Sequence, residues 1–146
     1  MTEQEYKHIR NLAWSLLIDA HISQLPIDIA SIANIYNLSS VLNDSATRYE
    51  NALNISQQIL HLYGCNSTPE NCKYLAVRIM APMIVIKELN IQSASELSDL
   101  TELPYDISMQ RYERYKMLLK RNSFYLSSLE RKVYIQFRNW IDSRRN

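Results

Sequence analysis

The sequence predicts a mainly α-helical domain with at most a small β-sheet. Three observations carry this. Apolar residues recur three or four positions apart through most of the chain, which places them on one face of a helix. The 146 residues contain a single Gly, whereas sheet proteins use Gly in their hairpins and bulges. There are four Pro, each near a point where a periodic segment stops or starts.

The elements follow in order. Ile9, Leu12, Ala13, Leu16, Leu17 and Ala20 predict an amphipathic helix over 3–22. Pro26 suits the start of a second helix, with Ile29, Ile32, Ala33 and Tyr36 as its stripe. The partly β-branched "LSSVLN" (38–43) is the best strand candidate. Ala52, Ile55, Ile59 and Leu62 predict a helix from Ser45 to about Tyr63, ended by Gly64. Thr68 and Pro69 read as an N-cap and a first helical position. The stripe Cys72, Leu75, Ala76, Ile79 and Met80 follows, until Pro82 ends or kinks the helix. Ser93 and Glu96 form a capping-box pattern for a short helix to about Leu103. Beyond Pro104, Ser108 is expected to open a helix to about Arg121, and Ser127 with Glu130 to open the last one. Leu129, Val133, Phe137, Trp140 and Ile141 give that helix its apolar face.

The bulk numbers bound the function. The length suits one domain over 1–146. No apolar run reaches the roughly 18 residues of a membrane span. The start "MTEQEYKHIR" lacks a signal-peptide core, so a cytoplasmic protein is expected, with Cys65 and Cys72 as reduced thiols. Phosphate-cradling and nucleophile-elbow motifs need several Gly and are excluded. Charge is divided: residues 1–110 hold 6 basic and 12 acidic residues, and residues 111–146 hold 10 basic and 3 acidic. The basic helical part, 108–146, either neutralises the acidic part of its own fold or faces an acidic partner.

Four stretches add a resemblance. "PIDIASIANIYNL" (26–38), "ISQQILH" (55–61), "NCKYLAVRIMAP" (71–82) and "ISMQRYERY" (107–115) come in the order of short patterns in the ImmA/IrrE-like metallopeptidase family. Together they span 26–115. The resemblance implies a zincin-like helical domain derived from a metallopeptidase, with a reduced or minimal β-sheet. "ISQQILH" lies where the family has I-A-H-E-I-G-H. Carried over, the family's zinc ligands fall on Gln57, His61 and Asn71, and its general base on Gln58. An amide is a poor zinc ligand and has no usable pKa. The resemblance therefore implies a pseudo-metallopeptidase without cofactor or catalysis, in which His61 is a partly buried, hydrogen-bonded relic.

Such a protein is expected to bind a protein partner, in the first place a repressor encoded by a phage or mobile element. Leu60, Tyr63 and Met83 are the candidates for an apolar groove, and Arg111, Arg114 and Lys116 for steering a partner in. Two alternatives stand beside this. Residues 95–121 read loosely as a basic helix-turn-helix for DNA, with Tyr112 and Tyr115 interleaved among the basic residues. A substitute metal site built from His61, Cys65, Cys72 and Glu70 would restore a peptidase, although their spacing matches no strong zinc pattern.

Overall fold

The computed structural model describes residues 1–121 and 126–145; residues 122–125 and Asn146, within the expected basic part 108–146, lie outside the described residues. The described chain is all-α. Its helices are α1 (Glu3–Asp19), α2 (Ile29–Ile35), α3 (Arg48–Leu62), α4 (Pro69–Met80), α5 (Met83–Leu89), α6 (Ala94–Thr101), α7 (Tyr105–Arg121) and α8 (Ser128–Arg145). No strand occurs among the described residues. None of these helices is long and apolar enough to cross a membrane.

The strand expected over 38–43 is instead a short 3-10 turn, Ser39–Val41. A strand needs a neighbour to take its backbone hydrogen bonds, and here a side chain does so. The Asn43 N–H donates to Asn51 Oδ1 at 2.9 Å, and Asn51 Nδ2 donates to the Asn43 carbonyl at 3.1 Å. The reduced sheet is thus no sheet at all in the described chain. The second helix starts three residues after Pro26, because Asp28 caps it by accepting from the Ser31 N–H. α7 likewise starts at Tyr105 rather than Ser108, which is buried inside its first turns.

α3 starts at Arg48 rather than Ser45, because Thr47 caps it by accepting from the Glu50 N–H, and α1 ends at Asp19 rather than 22; the remaining caps follow the sequence. Thr68 caps α4 with Pro69 at its first position, Ser93 caps α6 and Ser127 accepts from the Glu130 N–H. The ends of α1, α2, α3 and α5 share one device. His21, Asn37, Gly64 and Asn90 all take positive φ. In each, that residue and the next donate back into the last turn, as in Cys65 N–H to the Leu60 carbonyl at 2.9 Å. A chain with one Gly thus uses His and Asn where Gly is usual. Gly64 has φ +70°, and a Cβ built there meets nothing within 4 Å. Gly64→Ala should therefore destabilise the fold by about 1 kcal/mol through backbone strain alone. Urea unfolding checks this, and a neutral result would mean that the turn relaxes without cost.

α1 is the centre of the bundle, packing on α4 along one side and α8 along another. Leu16, Leu17, Ile32, Ile55, Ile59, Leu75, Ile79 and Phe137 are fully buried in one cluster. α3 lies on α4, α6 on α7, and α5 on α8. α5 was not foreseen in the periodicity. Its Met83, Ile84, Val85 and Ile86 are consecutive and all buried, and Lys87 and Glu88 follow only in the last turn, so no apolar-polar alternation sets a period. Gln136 joins the two ends of the chain: its Nε2 donates to the carbonyls of Leu17 and Ile22, at 3.0 and 2.8 Å, closing the C-terminal end of α1.

Candidate functional site

The positions matching the metallopeptidase motif lie on α3 and at the start of α4. On α3, Gln57, Gln58 and His61 share a helical face, since 57 and 61 are one turn apart. That face is exposed, while Ala52, Ile55, Ser56, Ile59 and Leu60 form the buried one. His61 is thus on the surface, not partly buried as expected. Asn71 is turned inward instead. Its Nδ2 donates to the Asn66 carbonyl at 2.8 Å, and its backbone N–H to the Thr68 cap at 3.2 Å. Asn71 lines a cavity of about 420 Å³ with Glu5, His8, Tyr63 and Cys65, which none of the other three reaches. The four positions do not converge.

The substitute metal site fares no better. Among the described residues, no three His, Cys, Asp or Glu side chains are placed to hold one ion. Gly64 turns the chain before Cys65, so His61 and Cys65 do not continue along one helix. Cys72 is buried, its Sγ directed at the Ser67 carbonyl at 3.6 Å, and burial pushes the thiol upward from its ordinary range. The protein purified without chelator should carry no molar equivalent of zinc. A stoichiometric ion lost on His61→Ala would refute this.

Three residues expected at a partner surface are in the interior. Leu60 has no exposed area and Met83 very little. Leu60 is on the face of α3 that packs inward, and Met83 opens the buried first turn of α5. They cannot form a groove. Arg111 is buried on α7, where Nε and Nη2 both donate to the Ala81 carbonyl, at 3.0 and 2.8 Å. That carbonyl sits in the break between α4 and α5, where Val85 and Ile86 donate to Pro82 instead. Arg111 takes the place of the missing helical donor. Tyr63, Arg114 and Lys116 do remain exposed. The Tyr63 hydroxyl meets that of Tyr36 at 2.7 Å, and Lys116 pairs with Glu113 at 2.8 Å and sits over the Tyr112 ring.

A different constellation appears where α1, α4 and α7 meet. A cleft of about 280 Å³ is lined there by Tyr6 from α1, by Lys73, Tyr74 and Arg78 from α4, and by Gln110, Arg111 and Arg114 from α7. Tyr6 and Tyr74 meet edge to face with centroids 4.9 Å apart, and the Arg78 guanidinium lies 4.6 Å from the Tyr74 centroid. Lys73 Nζ donates to Gln110 Oε1 at 3.0 Å. Among the described residues, Arg78 Nε is buried without a hydrogen-bond partner. Burial pushes the Arg111 guanidinium down to about 9, and Arg78 and Arg114 add to this by repulsion. It stays charged at neutral pH. The sequence held one signal of this cluster: Arg78 stands in the apolar run "LAVRIM", where a solvated charge has no place.

No family model, curated protein or solved structure matches this chain.

Proposed function

We propose that this chain is a non-catalytic regulator that works by binding a protein partner through the exposed face of α7. One observation carries the reading. Tyr105, Met109, Tyr112, Lys116 and Leu119 fall on one side of a 17-residue helix, at spacings of three and four. Tyr105, Met109 and Leu119 keep 56, 47 and 48% of their area exposed. Tyr112 is half-buried and its hydroxyl donates to the Gln92 carbonyl at 2.8 Å, whereas the exposed area of Tyr105, Met109 and Leu119 suits a partner helix or groove. Exposed Lys116 within the stripe and Lys120 beside it would speed encounter with an acidic partner. In this reading the ImmA/IrrE-like pattern of 26–115 marks descent from a peptidase whose metal residues were replaced. Repressors of phages or mobile elements are the partner class to try first.

The alternative of DNA binding has one feature in its favour. α6, a three-residue turn and α7 follow the helix-turn-helix order, with Glu102 at φ 64° where such turns favour Gly. The charges oppose it. Glu96, Asp99, Glu102 and Asp106 surround the turn and the start of α7, where phosphates would lie, and Arg111 is buried.

A photo-crosslinking residue at Met109, in cells that naturally make the chain, tests the proposal. It should give one protein adduct that a control at exposed Gln57 does not, and that Tyr105→Ser with Leu119→Ser abolishes. No adduct, or the same adducts at both positions, would refute it. In parallel, random duplex should not bind at low salt. Tight binding that falls steeply as salt is raised would install the DNA reading in its place.

A further inference from the structure

We propose that the cleft between α1, α4 and α7 binds an organic phosphate monoester carrying an aromatic ring. Arg78, Arg111 and Arg114 hold its phosphate, and Tyr6 and Tyr74 flank its ring. This site is separate from the exposed face of α7 and does not rest on the partner reading.

The charge balance is the first argument. The cleft is lined by Lys73, Arg78, Arg111 and Arg114 against one carboxylate, Glu70, a net side-chain charge of +3. None of the four cations makes a salt bridge among the described residues. Glu130 acts on Arg78 from a distance, as does the like-charged Arg10. Gathering guanidinium groups with so little counter-charge, one of them buried, costs the folded state. A structure tolerates this where an anion completes the set.

The geometry is the second argument. Arg111 is locked by its two bonds to the Ala81 carbonyl, which leaves Nη1 outside those contacts. Arg78 lies over the Tyr74 ring at 4.6 Å, with its Nε unpartnered among the described residues. Both forks are therefore pre-oriented, so little side-chain entropy is lost on binding. A phosphate dianion matches a net +3 lining better than a carboxylate does, and guanidinium forks bond phosphate oxygens two at a time. Apart from Gln110, the remainder of the wall is apolar, from Met1, Val77 and Ile107 beside the two Tyr rings. A cleft of about 280 Å³ takes a ring and a phosphate but not a macromolecule.

Calorimetry of the full chain with phenyl phosphate, inorganic phosphate and benzoate tests this. Phenyl phosphate should bind about tenfold or more tightly than either of the others, since only it uses both the charged and the aromatic walls. Arg78→Gln and Arg114→Gln should each weaken it by about tenfold, and Tyr74→Leu should bring it towards inorganic phosphate. Arg114 is exposed, so its variant keeps the fold even if the Arg78 variant does not. Three results would overturn the proposal: no heat at roughly 10 mM phenyl phosphate in low salt, binding unchanged in Arg114→Gln, or equal affinity for phenyl phosphate and inorganic phosphate.

Discussion

Phe137→Ala should destabilise the fold by about 3–5 kcal/mol, the largest effect expected of any single substitution here. Phe137 has no exposed area and stands in the middle of the buried row Val133, Phe137 and Ile141 on α8. That row seats α8 against α1 and α5. Removing the ring loses its transfer free energy and leaves a cavity, and the Trp140 ring at 6.3 Å, half-buried, can fill it only by leaving its own place. A total stability of about 5–15 kcal/mol is usual for a domain, so the loss is a large share. The control is Ile135→Ala on the same helix. Ile135 is 54% exposed, and its removal should change stability by no more than about 0.5 kcal/mol. Urea unfolding of both variants checks the pair. A loss near that of the control at Phe137 would mean that α8 is not held by this row.

Arg111→Ala should destabilise by about 2–4 kcal/mol, while Arg114→Ala, three residues along the same helix, should be nearly neutral. Two effects compete at Arg111. Its removal relieves repulsion from Arg78 and Arg114 and undoes the burial of a charge. It also leaves the Ala81 carbonyl without the two donors at 3.0 and 2.8 Å, in the break between α4 and α5, where the Val85 and Ile86 N–H groups are already committed to Pro82. The second effect wins, because an orphaned buried carbonyl adds to the cavity left by a long side chain. Arg111→Met separates the two, since it fills the space, keeps the relief and loses only the bonds. It should fall between wild type and Arg111→Ala.

The pH dependence has a definite sign. The folded guanidinium is held at about 9, below its unfolded value, so the unfolded chain binds more protons above that pH. The wild-type advantage over Arg111→Met should therefore grow as pH rises from about 9. An advantage that shrinks over that range would show that the charged form is the one favoured by folding.

The caps were the most legible part of the chain. Gly64, Thr68 with Pro69, Ser93 and Ser127 each stand at the helix end that the residues announce, because a cap is a contact between neighbours in sequence. Contacts between distant residues were not legible. Asn51 completing the backbone bonds of Asn43, in place of a strand, is a meeting across a folded loop. α5 was hidden because four consecutive buried residues, Met83 to Ile86, erase the period that reveals a helix.

The candidate site shows the same division. That Gln57, Gln58 and His61 share one face of a helix follows from their spacing. Whether that face looks inward at Asn71 or outward at water is decided by which side of α3 lies on α4, and it looks outward. The count and position of the basic residues are in the sequence, and so is the absence of a zinc-binding spacing. The sequence alone thus determined a mainly helical chain with named caps, one apolar stripe per amphipathic helix and a basic last third. Only the tertiary structure decided that Leu60 and Met83 are core, that Arg111 satisfies a broken helix, and that Lys73, Arg78 and Arg114 meet across α4 and α7. The reason is physical: periodicity states which residues share a face, and only packing against another element states what that face meets.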